Sequence, residues 1–199
     1  MTIPSSKEEV VKAKKQEILE AAARLFRDKG YTAASMRDLA KEVRLKASSL
    51  YNHIQSKEEI LRDICFLNAR RFEAGMRQIE QLAATPAEKV RALIHLHIHI
   101  ATEDITSVTA FNDEWRHLKE PYLSEFMTLR KDYEHRFKAI IEAGIATGAF
   151  KKLNAATVLY TVFSSVRWLY DWYKPERNIS SEALCEQIAA LLMGGLENK

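Results

Sequence analysis

Chain breakers are scarce in this sequence. Six Gly and four Pro among 199 residues make about 5% of the chain against roughly 12% in an average composition, which disfavours a fold of short strands and frequent turns. A mostly helical protein is expected. Cysteine is scarce too: Cys65 and Cys185 stand far apart within apolar helical patterns, so they read as two buried thiols, not as a disulfide scaffold or a zinc ligand set. No apolar run approaches the roughly 20 residues that span a bilayer. The opening Met-Thr-Ile-Pro-Ser-Ser lacks the basic start and apolar centre of a signal peptide. A cytoplasmic protein without a membrane partner is expected. What is present, 47% apolar and 29% charged residues, suffices for one or two compact units.

The net charge of +3 is too small to imply a polyanionic partner, but its distribution is uneven. Residues 1–57 hold 12 Lys and Arg against 7 Asp and Glu, or +5, and the remaining 18 against 20 give −2. The basic end is the candidate for a polyanion, the alternative being a solvated arm on an ordinary helix.

From Lys12 to Lys29 the residues Ile18, Ala22, Leu25 and Phe26 form one helical stripe, stopped by Gly30. Ser35 stands three residues before Asp38 as a capping box, and Met36, Leu39, Ala40 and Val43 give a short second helix. A third follows on Leu45, Leu50 and Ile54, until Ser56 with Glu59 opens a fourth. Three helices in about 45 residues, the last two joined by a tight turn, match a helix-turn-helix. Thr85-Pro86-Ala87-Glu88 starts another helix with cap, first-turn proline and box glutamate. Further helices are expected over about 86–102, 105–119, 121–146, 154–174 and 180–196, the last ended by Gly194-Gly195.

Residues 30 to 61 carry Gly30-Tyr31, Ser35, Asp38-Leu39-Ala40, Leu50-Tyr51-Asn52-His53 and Ser56-Lys57-Glu58. In this pattern the sequence resembles the TetR family of bacterial regulators, whose length and all-helical remainder also agree. The resemblance implies an all-α fold: a three-helix helix-turn-helix DNA-binding domain with its N-terminal arm over 1–57, and a ligand-binding and dimerisation bundle over 58–199. Physical chemistry supports the first part independently, because a helix of about two turns fits the major groove, where early side chains reach base edges and the flanks meet phosphates. Ala47, Ser48 and Ser49 are small and polar enough for close approach, with Lys46 at the entrance. Thr32, Ser35 and Arg37 are placed to clamp the backbone. By resemblance, Tyr51, Asn52, His53 and Lys57 are DNA contacts, with Tyr51, His53 and Lys57 on phosphates, while Leu50 and Ile54 are core. The alternatives are a half-buried core tyrosine at 51 and plain surface residues at 48, 49, 53 and 57. Two positions depart from the family pattern. Arg44 stands where the turn usually has glycine, at a cost of about 1 kcal/mol if it is left-handed. Lys46 replaces the usual small hydroxyl, so that helix lacks its N-cap. Ile54 for the commoner Phe is an apolar swap.

His95 and His99 are four apart on a helix, which invites a metal reading. Periodicity instead puts Val90, Leu93, Ile94, His97, Ile98 and Ala101 on one arc and His95 and His99 on the opposite, polar side. No metal or cofactor is expected, and His97 is either a satisfied buried imidazole or a cavity wall. No Ser or Cys stands in a nucleophile elbow, so no catalytic residues are assigned. Apolar helices also carry His97, Phe111, Trp115, Arg116, Arg130, Tyr133, Phe137, Arg167 and Trp168, the composition of a pocket with a few polar anchors or of core and interface packing. The stretches 113–116, 130–134 and 168–175 are similar to the acyl-CoA-sensing branch of the family, in which an arginine would suit a CoA phosphate. Val158, Val162, Ser165 and Leu169, with Leu184, Ile188 and Leu191, are by family resemblance the two-fold interface of a homodimer. Such a dimer sets two recognition helices about one DNA turn apart on a palindromic operator.

These observations point to a non-enzymatic, ligand-responsive repressor that binds double-stranded DNA and is released by a small effector such as an acyl-CoA. Two other readings stay open: a helical acyl- or lipid-binding protein or enzyme with an incidental motif, and a DNA-binding dimer with no small ligand.

Overall fold

The computed structural model describes residues 7–173 and 179–198, which leaves the first residues of the N-terminal arm, and Lys174 and Pro175 of the stretch 168–175, outside the described residues. The described chain is helical apart from turns and one isolated β-bridge, Phe150 with Glu197. In order, the helices are α1 (Lys7–Lys29), α2 (Met36–Glu42), α3 (Ala47–Leu50), α4 (Lys57–Gln81), α5 (Pro86–Glu103), α6 (Ile105–Asp113), α7 (Tyr122–Ala146), α8 (Ala155–Arg167), α9 (Leu169–Trp172) and α10 (Ser181–Leu196).

The chain divides into two compact units. One takes the residues up to Asn68 together with Thr106–Phe126, the other Ala69–Ile105 together with the residues from Met127 on. The division by motif at 57/58 is therefore not the division by packing. The reason is a set of long-range bonds that recruit the 106–126 segment: the Tyr31 amide donates to Glu114 Oε1 at 3.1 Å, Lys119 pairs with Glu58 at 2.9 Å, and the Asn68 amide donates to Ser107 Oγ at 2.6 Å.

In the first unit, Ile18, Ala22 and Phe26 of the expected stripe are buried, while Leu25 is only partly covered and α1 begins five residues before Lys12. Burial of Ile18 and Phe26, each stabilising by about 1.5–3 kcal/mol, fixes the face α1 presents. Gly30 at φ 79° ends it, its amide donating to Phe26 O at 2.8 Å. The expected helix over 105–119 stops at Asp113 and continues only as a 3₁₀ turn, Trp115–His117, beside which the Glu114 carboxylate accepts from the Tyr31 amide.

The second unit packs Leu93, Ile94, Ile98, Phe137, Phe150, Val162 and Met193 into one core. Gly144 has a steric reason: a Cβ there would meet the Phe150 ring at 2.2 Å. Thr85 and Glu88 form the expected box at the start of α5. The expected helix 154–174 divides at Trp168 into α8 and α9. Helix α10 runs through Gly194 and Gly195 to Leu196, whose carbonyl accepts the Lys151 amide at 2.9 Å; this pairing ends the helix in place of the glycines. Cys65 and Cys185 are free thiols and both are buried. Among the described residues, no helix is long and apolar enough to cross a membrane.

Candidate nucleic-acid interface

Three local features build the site. Ser35 caps α2: its hydroxyl accepts from the Asp38 amide at 3.1 Å while the Asp38 carboxylate accepts from the Ser35 amide at 3.2 Å. The Ser35 hydroxyl, which also donates to Asp38, holds the Asp38 carboxyl below the usual carboxylate range, aided by Lys29. At the other end the Leu45 amide donates to Ala40 O at 2.9 Å and the Arg44 amide to Lys41 O at 3.2 Å. This is the paired pattern of a Schellman turn, whose left-handed position favours glycine. Here that position is Arg44, at φ 53°.

After the turn, Lys46 is the N-terminal flank of α3 and makes no side-chain cap, as its side chain dictates. Beyond Leu50 the helix tightens, with the Asn52 and His53 amides donating to Ser49 and Leu50 carbonyls, so the helical turn extends over 47–53. Leu50 and Ile54 are buried in the core. Their anchoring turns Ala47, Ser48, Tyr51 and Asn52 outward, with Ser49 and His53 partly covered. Tyr51 keeps 51% of its surface exposed, which decides against a core tyrosine there. His53 Nδ1 is enclosed without a hydrogen-bond partner among the described residues.

The charges of this region are sorted by sign. The α2 acids face α1, Asp38 reaching Lys29 at 3.6 Å and Glu42 reaching Arg24 at 4.0 Å. Arg37, Lys41, Arg44 and Lys46 are exposed and make no ion pair or side-chain hydrogen bond among the described residues. Reading the sequence alone singles out Arg37 and Lys46 but misses Lys41 and Arg44; the spacing of Lys41 four residues after Arg37, on the same face, was the available signal. Lys57 goes the other way. Its ammonium donates to the carbonyls of Tyr31 at 2.8 Å, Ala34 at 2.9 Å and Thr32 at 3.3 Å, and lies 4.4 Å from the centre of the Tyr31 ring. These bonds clamp the loop that carries Thr32, itself exposed, into the Ser35 cap. Tyr31 is buried, edge-on to Phe26 and stacked on His117. Burial, then Glu58 and Glu114, push its hydroxyl up to about 12.

The expected effector residues fall into two groups. Phe111, Trp115 and Arg116 belong to the first unit, where Phe111 and Trp115 pack on Phe126 at 5.4 and 5.9 Å and Arg116 lies over the Trp115 ring. A cleft of about 610 Å³ in the same unit is bordered by Glu58, Arg62, Lys119 and Tyr122 and by none of the expected residues. His97, Tyr133 and Phe137 belong to the second unit, in an aromatic cluster with Phe72 and Phe163. His97 Nε2 meets the Tyr133 hydroxyl at 2.8 Å, so the imidazole is satisfied, and burial pushes it down to about 4. Arg130 approaches Glu134 at 3.7 Å, Arg167 is exposed, and Trp168 lies against Trp172. His95 and His99 do not face water as their wheel positions imply. Helix α10 covers that side of α5: His99 lies 3.2 Å from Ser181 Oγ and 3.7 Å from Cys185 Sγ, and His95 approaches Glu186 at 3.9 Å. Among the described residues no group of three or more His, Cys, Asp or Glu could hold a metal.

Most of the expected interface residues lie inside the protomer. Val158, Val162, Leu169, Leu184 and Ile188 are buried in the protomer's own core, because the apolar stripes of α8 and α10 are consumed by α5 and α7. Ser165 is partly exposed and Leu191 keeps 79% of its surface; Tyr160, at 54%, is also left outward.

A capped short helix, a left-handed turn and a second short helix with a polar outer face define a helix-turn-helix DNA-binding protein. A model of the bacterial regulatory proteins of the tetR family matches residues 18–64, and one of the tetracyclin repressor-like C-terminal domain matches 83–196. The chain belongs to the TetR family of transcriptional regulators, and is a regulator and not an enzyme. It is 28% identical over 190 residues to the HTH-type transcriptional repressor KstR2 of Mycolicibacterium smegmatis, covering 92% of this chain and 91% of that protein. Its fold is like that of the ketosteroid transcriptional regulator KstR2 of Mycobacterium tuberculosis, with a TM-score of 0.88, 24% identity, and 94% and 96% of the two chains covered. It is also similar to AibR in complex with isovaleryl coenzyme A and operator DNA, with a TM-score of 0.78, 25% identity, and 90% and 98% covered.

Proposed function

We propose that this protein is a cytoplasmic, homodimeric transcriptional repressor that leaves a palindromic operator when it binds an acyl-CoA. The observation that carries the DNA half is the outward face of residues 46–53, held rigidly by Leu50 and Ile54 and flanked by cations without internal partners. Ala47, Ser48 and Ser49 enter the major groove; Thr32, Arg37, Lys46, Tyr51, Asn52 and His53 meet the backbone beside it. Repression is supported by the name of the KstR2 relatives, and a thioester effector by the isovaleryl coenzyme A bound to AibR. The functional division is then 1–57 for reading DNA and 58–199 for sensing and pairing. Exposed Tyr160 and Leu191, with the small residues Ser164, Ala190 and Gly194 beside them on α8 and α10, form the face for the second copy.

Effector and operator are linked reciprocally: a ligand that weakens DNA binding binds less tightly to the DNA complex. The test is fluorescence anisotropy of the gene's own upstream fragment, titrated with protein in the presence and absence of isovaleryl-CoA and longer acyl-CoAs. A weaker DNA affinity at saturating thioester is expected. An unchanged affinity with every thioester removes the acyl-CoA effector.

A further inference from the structure

The side chain at the left-handed turn position earns nothing from its own fold. The Schellman bonds at Ala40 and Lys41 are made by backbone alone, so any residue that tolerates φ 53° completes the turn. Glycine does so without strain, asparagine with little, and an unbranched L residue such as arginine at a cost. Arg44 is exposed and takes no ion pair, side-chain hydrogen bond or ring contact among the described residues. It also stands in a like-charged neighbourhood: Arg37 and Lys41 are four apart on α2, an unfavourable spacing for like charges. Lys46 follows two residues after Arg44. The acids that could relieve them, Asp38 and Glu42, are turned to Lys29 and Arg24. Strain and repulsion converge on one turn with no compensating contact inside the protein.

A polyanion at that turn supplies the missing compensation. We propose that Arg44 is a DNA phosphate contact, its guanidinium binding two phosphate oxygens. The backbone strain is retained because a glycine at this position would give up that contact. Lys41 completes the same cationic edge from the last turn of α2. Arg44 on one side of the recognition helix then opposes Tyr51 on the other, and fixes how deep Ser48 and Ser49 sit in the groove without reading a base itself. The inference rests on the DNA-binding reading but concerns one residue, so the two can fail separately.

The test compares wild type with Arg44→Gly, Arg44→Asn and Arg44→Lys. Binding of the purified protein to a labelled short duplex is followed across a KCl series, with melting temperature measured alongside. Counterion release makes the salt slope fall by about 0.9 for each lost phosphate contact on each protomer, which at 0.1 M salt is about eightfold in affinity. Arg44→Gly and Arg44→Asn should lose that slope while Arg44→Gly melts higher than wild type by about 2–4 °C. Arg44→Lys should keep the slope. An unchanged slope in both Arg44→Gly and Arg44→Asn overturns the contact, whatever the melting temperature. A lower melting temperature in Arg44→Gly overturns the strain. Absence of binding by wild type to any duplex, its own upstream fragment included, would instead remove the DNA-binding reading.

Discussion

Lys57→Met separates two roles that a cation at the start of α4 can play. The substitution keeps the aliphatic stem and deletes the ammonium, and with it the bonds to Tyr31 O and Ala34 O at 2.8 and 2.9 Å, the longer one to Thr32 O, and the cation held over the Tyr31 ring. A hydrogen bond from a charged donor contributes about 1.5–3 kcal/mol and a cation over an aromatic face about 0.5–1 kcal/mol. Water can take over the Thr32 carbonyl, which is exposed, and in part the other two, so the net loss is about 2–3 kcal/mol. For a chain of this size each kcal/mol moves the midpoint by about 2–4 °C, giving a fall of roughly 4–12 °C. DNA affinity should also fall, because the loop from Tyr31 to Ala34 positions Thr32 and the Ser35 cap. The slope of log affinity against log salt should stay at the wild-type value, since no counterion is released where no phosphate is bound. Lys46→Met is the control with the opposite signature: unchanged melting, and a slope reduced by about 0.9 per protomer. A Lys57→Met protein that melts like wild type but loses the slope would refute the internal clamp and restore a phosphate contact.

Two further predictions test the second unit. His97 is held near 4 by burial against about 6.5 in an unfolded chain; the unfolded state takes the proton first, so stability is complete above about pH 6.5, declines as pH falls toward 4, and loses up to roughly 3 kcal/mol. Urea unfolding of wild type and His97→Phe at about pH 7.5 and pH 4.5 should show a smaller acid loss in the variant, and equal losses would contradict this sign. Leu191→Asp places a charge on a side chain already 79% exposed, so the protomer should keep its helical circular dichroism while sedimentation reports a monomer; a surviving dimer excludes the α8 and α10 face as the contact.

The parts of this molecule legible in its sequence are those decided within a turn or two of chain. The Ser35 box, the uncapped Lys46 and the left-handed Arg44 all depend on neighbours no more than five residues away. The internal bonds of Lys57 are not legible locally, because its acceptors lie 23 to 26 residues upstream. Nor is the bond of Glu114 beside the end of α6, which reaches a residue 83 positions away. The stripes on α8 and α10 illustrate a different limit. Their apolar spacing was read correctly as a buried face, but periodicity reports that a face is covered and not by what. Val162 and Ile188 are covered by their own protomer. The outward residues Tyr160 and Leu191 are spaced between those stripes and small residues, a signal too sparse for a hydrophobic pattern to register.

Charge obeys the same distinction, and this bears on how a basic segment becomes a DNA-binding surface. The excess of +5 in residues 1–57 does not by itself say which cations are available to a phosphate. Lys15 is drawn to Asp63 at 2.7 Å and Glu59 at 3.2 Å; Lys29 and Arg24 are taken by α2; Lys57 is taken by carbonyls. Each of these pairings removes a cation from the DNA face, but those with Asp38 and Glu42 also remove an acid from it. Apart from Lys12 on α1, the cations left without a partner among the described residues of this segment are Arg37, Lys41, Arg44 and Lys46, all between the start of α2 and the start of α3. A uniform basic arm would bind any polyanion along its length, whereas cations confined to the edges of one short helix bind a duplex only when that helix is in the groove. Orientation is therefore set by the acids as much as by the bases: returning Glu42 to the DNA side, by removing Arg24, should weaken binding although Arg24 touches no DNA.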